Sequence, residues 1–145
     1  MGGRSPGIAL AGVGIVAAGI LLTVALQGEN SVPQVGGGRR VIRAGPNTGG
    51  LPYSPGIQVG NTLYLAGTIG EDADNNIVPG GIQAETRQAL ANVGEVLKAA
   101  GMSFQNVTSV TVYITSFDDF AAFNEVYRQI FATDPPARAT VQGLG

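Results

Sequence analysis

Apolar and polar positions along residues 57–66 follow the short period of β-strands. Two apolar runs, residues 57–59 and 63–66, flank the turn pair Gly60-Asn61, which predicts a hairpin. Farther along, Val110, Val112 and Ile114 alternate with polar positions, which predicts a half-buried strand over residues 107–114.

Two stretches show the longer period of amphipathic helices. The first helix is predicted over residues 82–100, ended by Gly101, which favours a left-handed conformation. The second is predicted over residues 117–132, with Ser116 and Asp119 at capping-box spacing. The two apolar stripes are Ala89, Leu90, Val93, Val96, Leu97 and Ala100, and then Phe120, Phe123, Tyr127, Ile130 and Phe131.

The resulting order, β-β-α-β-α-β, ends with a strand over residues 138–142 after the helix-stopping pair Pro135-Pro136. This order predicts an α+β domain built on a single mixed β-sheet with both helices packed on one face. Polar and aromatic positions such as Thr111 and Tyr113 fall on the opposite face of the sheet, which favours a subunit interface there.

The N-terminal part of the chain has a different pattern. Residues 8–26 are apolar except for Thr23, and a helix of that length spans about 28 Å, close to the hydrocarbon core of a bilayer. We expect one hydrophobic N-terminal helix that anchors the chain in a membrane. A cleaved secretory signal and a buried core helix are the alternatives, but the run is long for a signal and contains three glycines.

The residues after the apolar run divide the rest of the chain into a linker and a domain. Residues 27–43 contain three consecutive glycines and are predicted to form a flexible linker between the anchor, residues 1–26, and a domain over residues 44–145. Charges flanking the apolar run are nearly balanced, so orientation is weakly specified. We favour a domain on the extracytoplasmic, periplasmic side, with the cytoplasmic face as the alternative.

Composition excludes several kinds of chemistry. The chain contains neither Cys nor His, so disulfides, Ser-His-Asp triads, cysteine nucleophiles and His-ligated zinc are ruled out. Residues 44–145 carry four cationic side chains against nine acidic ones, a net charge of about −5. Nucleic-acid binding usually requires a basic face, so the domain is not expected to bind nucleic acid.

A few positions in the predicted domain suit ligand binding. Arg138 opens a strand after two prolines, where its guanidinium can grip a carboxylate through two parallel hydrogen bonds. Tyr53 lies in the turn sequence Leu-Pro-Tyr-Ser-Pro and can offer a phenolic hydroxyl. Their alternative interpretations are a solvated surface arginine and a packing or interface tyrosine.

Two further positions are weaker candidates. Asn124 lies at the margin of the second helix, where a solvated amide is the simpler interpretation. Gly67 ends a strand and allows a ligand to approach the backbone, although a turn or bulge explains such a glycine equally well. The adjacent acids Asp118-Asp119 are explained as helix-start residues and not as a catalytic pair.

Taken together, these segments resemble the RidA/YjgF family of reactive-intermediate deaminases, from about residue 44 to the last residue. Each motif is weak alone, but the order and spacing are specific. The matching segments are Pro52-Tyr53-Ser54-Pro55-Gly56, residues 59–70, residues 83–93, residues 97–101, residues 110–114, residues 119–127, and Pro136-Ala137-Arg138-Ala139-Thr140-Val141.

The resemblance implies a chorismate-mutase-like homotrimer with sites between subunits. It implies hydrolysis of 2-enamine and 2-imine acids, such as 2-aminoacrylate, to 2-keto acids and ammonia, without metal or organic cofactor. Arg138 would then bind the substrate carboxylate and Tyr53 would shape the pocket. Gly67 and Thr140 would contact the reacting end, and Asn124 would provide a polar wall.

The resemblance also implies one departure. Family members continue for about 20 residues beyond the position of Val141, to a last strand bearing a glutamate near the reacting water, and without it a sheet edge stays unpaired. We therefore expect this chain to be C-terminally truncated. The alternatives to a deaminase are a trimer of the same fold that binds small carboxylates without turnover and, less favoured, a ribonuclease or chaperone.

Overall fold

The computed structural model describes residues 25–26, 38–45 and 52–143. The elements are β1 Ala25–Leu26, β2 Arg39–Ile42, β3 Gly56–Val59, β4 Thr62–Leu65, α1 Gly81–Ala99, β5 Val107–Ile114, α2 Phe120–Ile130 and β6 Ala137–Gln142. The predicted α+β class, the hairpin, the strand over residues 107–114 and both helices are confirmed.

The first sheet has the order β2-β3-β4 and is antiparallel throughout. Gly60 turns the β3–β4 hairpin with φ 57°, a left-handed conformation that glycine adopts without steric cost. In β2, Nε of Arg40 donates to the buried Oε1 of Gln58 at 3.0 Å. The folded unit thus extends into the segment predicted as a flexible linker, because Arg39–Ile42 finds backbone partners along β3.

The second sheet has the order β1-β5-β6, with β1 antiparallel and β6 parallel to β5. The prediction of a single mixed sheet is wrong for the described residues, because β4 and β5 do not pair. Instead β1 lies beside both β4 and β5, and this two-residue strand, with its irregular register, forms a ladder only with β5.

The predicted N-terminal helix mostly lies outside the described residues. Its last two positions, Ala25–Leu26, form β1 and not a helix end, because their backbone pairs with Ser109 and Val107 of β5. Within residues 25–26, 38–45 and 52–143, no helix is long and apolar enough to cross a membrane.

Both helices contribute to the core that joins the two sheets. α1 buries the predicted stripe, and the next glycine, Gly101, has φ 76° as expected for a helix terminator. α2 begins later than predicted: residues 117–119 form a short 3₁₀ turn, whose start is held by the Ser116 hydroxyl accepting from the Asp118 amide at 3.1 Å. Val126 of α2 is buried, whereas Ile130, predicted in the stripe, is exposed.

One hydrophobic cluster connects residues of β2, β4, α1, β5 and α2. Leu63 of β4, Val112 of β5, Val93 of α1 and Phe123 of α2 are fully buried within it. Each such side chain contributes about 1.5–3 kcal/mol on burial. Because residues of both sheets and both helices share this cluster, the core fixes the position of β5, and β6 with the candidate site is paired to β5.

Candidate functional site

Arg138 lies near the beginning of β6, where the register of the parallel ladder decides the direction of its side chain. Arg138 is paired with Val110 and Thr140 with Val112, and both valines are buried in the core. Paired residues in neighbouring strands point to the same face of a sheet. Arg138 and Thr140 therefore both point towards the helices, and both are half-buried.

The guanidinium of Arg138 lies over aromatic rings of α2. Its Cζ atom is 4.6 Å from the ring centroid of Tyr127, 5.2 Å from that of Phe123 and 5.6 Å from that of Phe120. These distances are within the range of cation–π attraction. We call the three rings the aromatic seat.

No hydrogen bond or ion pair to the Arg138 guanidinium is formed by the residues that the structure describes. A guanidinium has five N–H donors in a fixed planar arrangement. Those of Arg138 are thus available to an anion, and the planar fork suits a carboxylate approaching in two parallel hydrogen bonds.

Tyr127 combines two unusual features. Its hydroxyl oxygen is buried and has no hydrogen-bond partner among the described residues. Burial raises the pKa of Tyr127 to about 12, and the nearby positive charge of Arg138 offsets part of that rise. At neutral pH Tyr127 is therefore a neutral phenol and not a proton acceptor.

Asn124 lies on α2 four residues after Phe120 and three before Tyr127, so the three side chains share one side of the helix. Asn124 is half-buried, and its amide makes no side-chain hydrogen bond with the described residues. The structure thus places Asn124 on the helix face that carries the seat.

Tyr53 and Gly67 form a second group, at the open end of the β3–β4 hairpin. The Ala66 amide donates to the Pro55 carbonyl at 2.9 Å, which holds the segment before β3 beside the segment after β4. Tyr53 and Gly67 are both exposed. Within the described residues, no hydrogen bond or ring contact joins this pair to Arg138, Thr140 or Asn124.

The loop over residues 66–71, which carries Gly67, is fixed to α1 by Asn92. This buried amide donates from Nδ2 to the carbonyl oxygens of Ile69 at 3.2 Å and Glu71 at 2.9 Å. Its Oδ1 accepts from Nε2 of Gln88 at 2.9 Å. Both N–H groups of the Asn92 amide therefore hold the loop, and Oδ1 is bonded within α1.

The same loop approaches α1 at van der Waals distance. A Cβ atom added to Gly70 would lie 2.5 Å from the Cα atom of Glu85, so only glycine fits there. Burial raises the pKa of the Glu85 carboxyl, and Asp119 at the start of α2 adds to the rise. Burial likewise raises the pKa of Glu71, with a further contribution from Asp72.

Sequence analysis missed Asn92 as a residue that positions the site. The signal was present, since Asn92 is a polar residue inside the apolar stripe of α1, three positions after Ala89 and four before Val96. Within the described part of the chain, no cluster of three or more His, Cys, Asp or Glu side chains is arranged to hold a metal ion.

A separate surface pocket of about 230 Å³ lies at the C-terminal end of α2. It is lined by Phe104, Gln105, Ile130, Phe131, Thr133 and Asp134. It includes none of the predicted site residues, so the candidate site is defined by Arg138 and the aromatic seat and not by this pocket.

Comparisons with known proteins show the family and the fold of this chain. Residues 47–143 match the family model described as Endoribonuclease L-PSP. The chain is 44% identical over 106 residues to goat (Capra hircus) and human proteins named 2-iminobutanoate/2-iminopropanoate deaminase, covering 72% of this chain and 77% of each relative. The crystal structure of the YjgF gene product from E. coli is similar with a TM-score of 0.67 at 29% identity, covering 72% of this chain and 85% of that chain.

Proposed function

The chain belongs to the RidA/YjgF family, and from that premise we propose that it hydrolyses reactive 2-enamine and 2-imine acids to 2-keto acids and ammonia. The observation that carries the proposal is the Arg138 guanidinium, which rests on three aromatic rings and has no anionic partner among the described residues. The names of the goat and human relatives supply the substrate class.

Arg138 binds the carboxylate that all these substrates share. Two parallel N–H···O bonds fix the orientation of the acid as well as its position. The ring faces beneath the guanidinium exclude water from one side, and a less polar surrounding strengthens the pairing. The imine carbon, one bond from the carboxylate, is thereby held at a defined place.

The reaction then needs little from the protein beyond positioning. An enamine takes up a proton at carbon to become an imine; water adds its oxygen to the imine carbon, and a proton passes to nitrogen. The hydroxyl proton then passes to nitrogen as the C–N bond breaks, so that ammonia leaves and the carbonyl forms. Since an imine is already electrophilic, holding it beside a water molecule supplies much of the rate.

The remaining candidates take supporting roles in this proposal. Tyr53 shapes the pocket and contacts substrate, Gly67 and Thr140 contact the reacting end, and Asn124 provides a polar wall. Within the described part of one chain, neither Tyr53 nor Gly67 forms a hydrogen bond or ring contact with Arg138, which supports a homotrimer in which a site forms between subunits. The exposed Val59 and Val141 support the burial of the open sheet surfaces in that assembly.

The main experiment measures ammonia release from freshly generated 2-iminopropionate by the full chain. We expect Arg138→Ala to lower kcat/KM by at least about 100-fold, because the substrate loses a charge-assisted bidentate contact. Arg128→Ala is the matched control, since Arg128 is an exposed arginine of α2 and its loss should leave the rate unchanged.

Sedimentation on the same samples reports the assembly, and we expect a trimer for the wild type and both variants. Unchanged activity in Arg138→Ala rejects the assigned role. A wild-type protein that binds 2-ketobutyrate through Arg138 but releases no ammonia supports the alternative, a carboxylate-binding trimer without turnover.

The description of the family model as an endoribonuclease does not fit the charge of this domain. Residues 44–145 carry a net charge of about −5, and nucleic-acid binding depends on cations that displace counterions from phosphates. We therefore propose a small-molecule substrate and no nucleic-acid partner, with neither metal nor organic cofactor.

For localisation, we propose that the apolar run starting at residue 8 tethers the domain to a membrane, with the domain on the extracytoplasmic side. Its lack of charge over nearly the thickness of a bilayer supports this. Fractionation of cells that produce the full chain should place it in the membrane pellet after alkaline washing, and a variant lacking residues 1–24 in the supernatant. Recovery of the full chain from the supernatant would contradict the tether.

A further inference from the structure

The aromatic seat is part of a longer series of packed rings. Within it, the centroids of Phe123 and Tyr127 are 5.4 Å apart. Tyr127 also packs on Phe131 at 4.6 Å, and Phe131 meets Phe104 edge-on at 5.4 Å. Tyr127 is thus held by an aromatic ring on each side.

Tyr127 is the member of the seat closest to Arg138. Its ring centroid is 4.6 Å from the guanidinium carbon, and its side chain is only 5% exposed. Phe120, by contrast, is half-buried and lies at 5.6 Å. A buried ring packed on two neighbours cannot turn away, so Tyr127 provides a rigid surface at the shortest distance from the guanidinium.

Before a ligand binds, the described residues offer the guanidinium no anion to orient it. A free arginine side chain samples many rotamers, and binding must offset the loss of that freedom. A fixed ring face reduces this loss of side-chain entropy on binding, since a planar guanidinium already stacks on the ring in a preferred plane.

We propose that Tyr127 is a positioning residue that holds the Arg138 guanidinium ready for the substrate carboxylate, and that its ring face, not its hydroxyl, does this. The inference rests on the proposed function for its substrate and extends it to a residue outside the predicted site. The raised pKa of Tyr127, caused first by burial, is consistent with the ring-face role, because the phenol stays neutral and forms no ion pair with Arg138.

Three variants test the inference: Tyr127→Leu removes the ring, Tyr127→Phe keeps it, and Phe104→Leu is the matched control. Phe104 belongs to the same series of rings, and among the described residues its ring contact is with Phe131 and not with Tyr127 or Arg138. Its replacement loses packing without touching the seat. Melting temperatures of all three variants report how much stability each one has lost.

For Tyr127→Leu we expect KM for 2-iminopropionate to rise about 10-fold with kcat within about threefold, the scale of one desolvated cation–π contact. Tyr127→Phe should keep KM within about twofold of wild type. Phe104→Leu should keep KM even where its melting temperature falls as far as that of Tyr127→Leu.

A binding measurement separates positioning from general damage. The Kd of 2-ketobutyrate, a stable carboxylate of the product class, should rise about 10-fold on Tyr127→Leu. In an Arg138→Ala background the same substitution should change Kd by less than about twofold, because a residue that acts through Arg138 has no effect once Arg138 is absent.

Three results would overturn the inference. Wild-type KM and Kd in Tyr127→Leu would show that the ring is not needed, and equal losses in Tyr127→Phe would assign the role to the hydroxyl. A tenfold effect that persists without Arg138 would indicate structural damage. If the wild type releases no ammonia but the effect of Tyr127→Leu on Kd depends on Arg138, the proposed reaction fails while the positioning role stands. If the wild type releases ammonia but the effect on Kd does not depend on Arg138, only the positioning role is rejected.

Discussion

The loop that carries Gly67 and the strand that carries Arg138 are fixed to the helices by different kinds of contact. The loop is attached to α1 by two directional hydrogen bonds from the buried Asn92 amide, at 3.2 Å and 2.9 Å. The Arg138 side chain is held against α2 by ring faces, and its guanidinium forms no hydrogen bond with the described residues.

The difference between the two regions is visible in one buried polar group of each, the Asn92 amide and the Tyr127 hydroxyl. Both Nδ2 contacts and the Oδ1 contact of Asn92 are made, whereas the Tyr127 hydroxyl is buried without a partner. A satisfied buried group costs stability when it is removed, and an unsatisfied one costs stability while it is present. The loop is thus placed by polar complementarity, and Arg138 by packing.

The largest expected effect comes from Asn92→Leu. This change leaves the carbonyl oxygens of Ile69 and Glu71 without their donor, and we expect the free energy of unfolding to fall by about 2–3 kcal/mol. Urea unfolding measures the loss, and hydrogen exchange at residues 66–71 should show a loosened loop.

The matched variant is Tyr127→Phe, which also removes one buried polar group. Because that hydroxyl has no partner in the described chain, we expect unchanged stability or a gain of up to about 1 kcal/mol. Gln88→Ala, which removes only the donor to Oδ1 of Asn92, should cost less than Asn92→Leu. Equal losses for Asn92→Leu and Tyr127→Phe would remove the distinction between the two regions.

Periodicity in the sequence predicts the strands and helices of both regions, because which face of each element is buried follows from the spacing of neighbouring residues. The alternation of Val110, Val112 and Ile114 defines a buried strand face, and the apolar spacing defines the stripe of α1. Two prolines and a strand start place Arg138 at a fixed point of the chain, which makes it a candidate from the sequence.

Contacts between distant segments were not predictable in the same way. The sequence places Phe120, Phe123 and Tyr127 in one stripe, but their position under Arg138 depends on the register of β6 against β5. β2 begins with two arginines and resembles a linker until β3 supplies its partners. A two-residue strand such as β1 has no periodicity from which to predict it.

The smallest expected effect lies between the two regions, where α1 meets the start of α2. Glu85 of α1 passes close to Gly70 of the loop and is repelled by Asp119, which precedes α2. Burial first, and Asp119 second, raise the pKa of Glu85 above its ordinary value of 4.5. The folded state therefore holds this proton to higher pH than the unfolded chain does, and stability falls as pH rises through the interval just above 4.5.

Glu85→Gln removes the charge and should raise stability at pH 7 by a few tenths of a kcal/mol, as for other partly exposed charge pairs. The gain should disappear at about pH 4, where wild-type Glu85 is largely protonated in both states. Melting curves of both proteins at the two pH values measure this difference. If the loop and the Arg138 strand are held independently, KM for 2-iminopropionate should stay unchanged in this variant. A change of KM together with a change of stability would show instead that the loop and the Arg138 strand are energetically coupled through α1 and α2.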